Sequence, residues 1–154
     1  MAAFGSETEE VAPIRERIMK ALTICQPYAE LIIRGEKLVE NRTWPGHLRG
    51  LLLIHAGQSR SWLDSYEPLP DRMDFGALIG FVRMIACVRA AEIATTPGME
   101  YLKGHKHVEG PFCFVLQTPV RFEAPIPYRG MQGFFHVPDP VIDGEILKGT
   151  FRPK

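Results

Sequence analysis

Four side chains able to do chemistry, Lys37, Glu40, Arg42 and Trp44, fall within eight positions of one another in the stretch RGEKLVENRTW at 34–44. Together an ammonium, a carboxylate, a guanidinium and an indole can hold a flat polar ligand. A carboxylate accepts from the exocyclic amine of a base, and a guanidinium fork fits phosphate. An indole stacks on a heterocycle for about 1–3 kcal/mol. Lys37 can meet phosphate as a point charge or, with a lowered pKa, act as base or nucleophile. Plainer readings stand beside these: a Glu40–Arg42 pair worth little if exposed, a solvated Lys37, and a Trp44 that fills a core.

Other candidates lie further along. His55 ends the apolar run GLLLI, where a cleft edge or a structural histidine fits equally. Tyr28 packs a helix with its hydroxyl free to reach a cleft, and the Gln132 amide before the last strand can read a base edge. Trp62 is expected to plug the end of the fold. Arg83 and Arg89 are expected to snorkel outward. His105 and His107 form an H-x-H pair without a visible third ligand, so neither a metal nor a cofactor is expected. No G-x-S-x-G, G-x-x-x-x-G-K or zinc-deaminase pattern occurs, which removes most well-marked enzyme classes.

The elements that must position these residues are short and well punctuated. IMKALTIC reads as a strand, and QPYAELIIRG as a helix with Pro27 in its first turn and Gly35 at its stop. KLVENRTW reads as a strand whose alternation places Leu38, Glu40, Arg42 and Trp44 on one face, with Val39, Asn41 and Thr43 on the other. GLLLIHAG is apolar enough to be covered on both sides. SRSWLDSYEPLP suggests a short helix or turn. GALIGFVRMIACVRAAEI is a long strand that bends at Gly80. A polar loop covers 95–110, and FCFVLQTPVRF and GMQGFFHV supply the closing strands, joined by EAPIPYRG. The expectation is an α+β domain of five or six strands, a closed or nearly closed β-barrel with short flanking helices.

The totals fit one domain over 18–154, preceded by a polar tail at 1–17. Eighteen basic side chains cancel eighteen acidic ones, so no global field draws the chain to nucleic acid or lipid. Five Lys or Arg against two acids at 31–60 still leave a local basic excess. Three widely spaced cysteines suggest reduced thiols and a cytoplasmic protein. No apolar run approaches the roughly 18 residues of a membrane helix, so no membrane partner is expected.

The spacing Gly35-x-Lys37-x-x-Glu40-x-Arg42 resembles the G-x-K-x-x-E-x-R signature of the ASCH domain family, whose fold is PUA-like. ALTICQPYAELIIRG, GLLLIHAG and GPFCFVL…PVRF…PIPYRGMQGFF resemble the family's successive strands and helix, so the likeness runs from Met19 to Val137. It implies a cleft floored by the signature, and relatives (the PUA, YTH and EVE domains) that bind RNA or modified bases. The partner implied is RNA or another single-stranded nucleic acid, or a modified nucleoside, held by Lys37, Glu40, Arg42, Trp44, His55, Tyr28 and Gln132. Some members of the family are hydrolases that deacylate acylated cytidine or cleave RNA. The alternative is therefore catalysis in the same cleft by Lys37 and Glu40. In the deacylating branch a threonine stands where this chain has Glu40, so only the lysine carries over. A third class is a protein-interaction module that docks through EAPIPYRG or the loop around His105.

Overall fold

The computed structural model describes residues 18–138; the expected tail at 1–17 and the end of the domain at 139–154 lie outside the described residues. Six strands form one mixed sheet: β1 (Ile18–Ile24), β2 (Val39–Arg42), β3 (Gly50–Ala56), β4 (Ala77–Arg89), β5 (Phe112–Pro127) and β6 (Phe135–Pro138). Their order is β2-β5-β4-β3-β1-β6. Only β1 and β3 run parallel, as their connection through the helix α1 (Tyr28–Ile33) and β2 requires. The α+β class and the strand number are as the sequence implies.

The barrel is not closed by backbone. β6 pairs with the start of β1, whereas the chain leaving β2 passes the other end of β1, so no β6–β2 ladder forms among the described residues. Side chains bridge the seam instead. Arg42 donates from Nη2 to the Thr23 carbonyl at 2.9 Å, and the rings of Trp44, Phe114 and Phe134 pack with centroids 5.2–5.7 Å apart.

Both faces of the sheet are buried, which explains the unbroken apolar run of β3. Leu52 and Ile54 enter one core with Leu22, Ile32, Met84 and Phe114, while Leu53 enters the other with Met19, Leu78, Phe81 and Val137. β4 bends through three shifts of register against β5. At the first of these Gly80 is required by close approach: a Cβ there would stand 2.1 Å from the Val120 carbonyl oxygen.

Two connections differ from expectation. EAPIPYRG is not a joining loop over its first half, because β5 runs on to Pro127, with Ile126 opposite Leu78 and Pro127 opposite Ala77. β2 covers β5 only over Phe112–Val115, so the later stretch is an edge strand among the described residues and tolerates prolines that cannot donate. The polar loop at 95–110 is also less loose than its composition suggests. The 3-10 turns Ala90–Thr95 and Glu100–Leu102 bury Ile93 and Leu102 against Val39, Cys113 and Val115. Among the described residues no helix is long and apolar enough to cross a membrane.

Candidate functional site

The entry to the site is built by α1. Gln26, fully buried, accepts from the Glu30 amide at 2.9 Å and donates to the Asp74 carbonyl at 2.8 Å, anchoring the first turn. Gly35 ends the helix at φ +81°, a conformation open to glycine, and the amides of Glu36 and Lys37 then both donate to the Leu31 carbonyl. This reversal carries Lys37 under the helix. Its side chain is only 4% exposed.

Lys37, Glu40 and Arg42 form a linear ion network. Lys37 Nζ donates to the Val39 carbonyl at 2.7 Å and stands 3.4 Å from Glu40 Oε1. Arg42 donates to Glu40 Oε2 from Nε at 3.1 Å and from Nη2 at 2.8 Å. Arg42 Nη1 has no partner among the described residues. Both Glu40 oxygens are thus committed to cations, while the guanidinium keeps one donor nitrogen, Nη1 with its two hydrogens, in hand.

These three side chains floor a cleft of about 380 Å³, with Thr23, Cys25, Tyr28, Asn41, Trp62, His107 and Glu109 also contributing to its lining. Lys37 and Arg42 face Glu40 and Glu109, so the formal charge of the lining balances. The Tyr28 hydroxyl lies 2.6 Å from Ser65 Oγ, which itself donates to the Trp62 carbonyl; this fastens the 62–66 turn to the cleft wall.

The structure separates other residues that the sequence groups with the signature. Trp44 does not line this cleft; one residue pair past β2 it packs edge-on against Phe114 and Phe134. The indole at the cleft is Trp62, which is 53% exposed rather than plugged into the fold. His55 and Gln132 line a second hollow together with Tyr128 and Met131, and Thr23 is the wall common to both. Arg83 and Arg89 are exposed on β4 as expected, and the Arg89 guanidinium lies over the Phe112 ring.

His55 is fully partnered. Its Nε2 lies 2.6 Å from the Tyr128 carbonyl, which can only accept, so Nε2 carries the hydrogen and Nδ1 receives the Thr23 hydroxyl at 3.1 Å. Burial pushes its pKa down. The parallel register that sets Thr23 against His55 creates this pair.

His105 Nε2 accepts from the Leu38 amide at 3.1 Å, and burial, with Lys37 and Lys106 nearby, lowers its pKa. Among the described residues no group of three or more His, Cys, Asp or Glu could hold a metal ion. His107 is different. Its ring is stacked on Tyr66, meets Tyr28 edge-on, and is 5% exposed. Burial, then Lys37, His105 and Lys106, lowers its pKa to about 4, so the ring is neutral at physiological pH.

Sequence reasoning missed Asn41, Thr23 and His107 as residues of the cleft. Asn41 Nδ2 donates to the His107 carbonyl at 2.9 Å, and its Oδ1 accepts from the amides of Glu109 and Gly110 at 2.9 and 2.7 Å. One signal was available: an amide between Glu40 and Arg42, in mid-strand where polar side chains must find partners.

Residues 22–125 match the family model described as the ASCH domain. The chain belongs to the ASCH domain family. Its sequence is similar to Activating signal cointegrator 1 of Homo sapiens, at 25% identity over 123 residues, covering 71% of this chain and 20% of that protein. The chain therefore spans about a fifth of that relative's length. Among solved structures it resembles the ASCH protein of Zymomonas mobilis, with a TM-score of 0.50 and 14% identity over 84% of this chain and 94% of that one. A single-site variant of the same protein gives a TM-score of 0.53 and 15% identity over 87% and 98%. At such identity the structural likeness establishes the ASCH fold. The family is linked to RNA binding, which gives this ASCH domain a nucleic-acid-related role at that coarse level.

Proposed function

We propose that this ASCH domain binds RNA, or a modified nucleoside derived from it, by taking one nucleobase into the cleft over Lys37, Glu40 and Arg42. The observation that carries the reading is the convergence of those three side chains on the floor of one open cleft with the half-exposed Trp62 at its wall. A cavity of this size lies within the roughly 300–1,000 Å³ range of small-molecule sites. Its balanced charge suits a neutral heterocycle better than a run of phosphates. Arg42 Nη1 offers a donor to a base carbonyl, Trp62 a stacking face, and Lys37 and Glu40 hold Arg42 in place. The three unpaired cysteines fit a reducing, cytoplasmic setting.

The test is an equilibrium titration of a single-stranded oligonucleotide and its abasic counterpart at low salt. Arg42→Ala and Trp62→Ala are each expected to weaken binding of the intact oligonucleotide about tenfold and to erase its advantage over the abasic one. Equal binding of both oligonucleotides by the wild type would remove the reading.

Hydrolysis of an acylated cytidine or of RNA is the second reading, favoured by the Thr23–His55 pair. A hydroxyl that donates to a neutral imidazole, itself oriented by a carbonyl, has the geometry of nucleophile and base. Lys37 and Glu40 would then position the substrate beside it. Chromatography of N4-acetylcytidine and of a labelled RNA after incubation with wild type and His55→Gln separates the two readings; recovery of both substrates unaltered leaves the binder.

A further inference from the structure

We propose that His107 is a base-reading residue of the cleft, its Nε2 taking the N–H of a nucleobase that also carries a carbonyl. The inference rests on the nucleobase reading above and names the contact and the class of base.

Among buried side-chain nitrogens and oxygens of the described residues, only His107 Nε2 lacks a hydrogen-bond partner. Such atoms are rare in folded proteins, because a polar group cut off from water without a partner destabilises the fold. Here the atom belongs to a residue that lines the ligand cleft and is only 5% exposed. Two devices hold it. Tyr66 stacks on the ring at 5.6 Å with an interplanar angle of 27°, and Asn41 ties down the backbone of residues 107, 109 and 110. A positioned ring with an unmet nitrogen is arranged for a partner that arrives from outside.

The surrounding groups decide what that partner offers. Both Glu40 oxygens are engaged by Lys37 and Arg42, and the His55 and His105 nitrogens that accept are engaged by Thr23 and Leu38. His107 Nε2 is thus the buried side-chain nitrogen left unmet at the cleft, an acceptor in the tautomer that carries its hydrogen on Nδ1, and Arg42 Nη1 is a donor nitrogen left beside it. A ligand that satisfies both needs an N–H and a carbonyl. Uracil, guanine and cytosine have them, whereas adenine lacks the carbonyl.

The experiment compares single-stranded oligouridine with oligoadenosine, each with an abasic counterpart, against wild type, His107→Phe and Arg42→Ala. Phenylalanine keeps the ring packing on Tyr66 and deletes the nitrogen. The wild type is expected to prefer oligouridine. His107→Phe is expected to lose about tenfold in affinity for it, the yield of a buried hydrogen bond, with the dependence on salt unchanged because no charge is removed. Nitrogen NMR of the wild-type imidazole, read with added uridine, is expected to move His107 and not His55; this reading needs no variant to fold. If His107→Phe binds like wild type while Arg42→Ala is weakened, the role of His107 is overturned and the nucleobase reading stands. If abasic and intact oligonucleotides bind alike, both fall.

Discussion

Replacing Glu40 by Gln should unfold this protein far more readily than the loss of one charge on a surface would. The carboxylate lies between a lysine whose side chain is 4% exposed, at 3.4 Å, and the Arg42 guanidinium, at 2.8 Å. At an effective dielectric of about 20, charges 3.4 Å apart attract by roughly 5 kcal/mol, against which stands the desolvation of both. Removing one partner of a buried pair typically costs about 3–5 kcal/mol, because the other is left charged and dry. Lys37 keeps its bond to the Val39 carbonyl and Arg42 retains some contact with solvent, so the lower end applies, about 3 kcal/mol. For a domain of this size that corresponds to a fall in Tm of about 6–12 °C. Urea and thermal unfolding of Glu40→Gln at pH 7 measure it. The double variant Lys37→Met/Glu40→Leu, which removes the buried lysine together with its partner and leaves only the partly solvated Arg42 guanidinium without its carboxylate, should be more stable than Glu40→Gln. A loss below about 1 kcal/mol in Glu40→Gln, or a double variant less stable than the single one, would refute the idea that this network is a coupled, desolvated unit.

Two further outcomes follow from the loop opposite. His107 has a folded pKa of about 4 against an ordinary 6.5, so the unfolded chain takes up the proton first. The stability this confers is fully present above about pH 6.5 and is lost progressively as pH falls toward 4, amounting to at most about 3 kcal/mol. Urea unfolding between pH 7 and 4 should show a shallower decline for His107→Phe than for wild type, with the variant about 1 kcal/mol more stable at pH 7 because its ring leaves no polar atom unmet. Asn41→Ala removes three hydrogen bonds to residues 107–110 and should cost about 2–4 kcal/mol. Amide exchange should quicken at Glu109 and Gly110, and affinity for oligouridine should fall as the His107 ring loses its anchor.

Much of this arrangement follows from local chemistry that a sequence displays. Pro27 and Gly35 bracket α1 as turn chemistry requires, and the alternation of β2 sets Glu40 and Arg42 on one face, where they are found hydrogen-bonded. The six strands and their α+β class follow from runs of apolar residues between turns. Gly35 also fixes the reversal that places Lys37, since a position at φ +81° selects glycine whatever surrounds it.

What the tertiary structure alone decided depends on pairings between distant segments. Period-2 alternation assigns a face, not the neighbour on that face: Trp44 shares parity with Arg42, yet the aromatic seam with Phe114 and Phe134 claims it. Trp62 reaches the cleft because Tyr28, 34 residues earlier, holds its turn through Ser65. His55 meets Thr23 through the β1–β3 register, and His107 meets the cleft through Asn41, 66 residues away in the chain. Whether a lysine is solvated or buried, and whether an imidazole has a partner, are properties of the space around it. Only the packed chain defines that space.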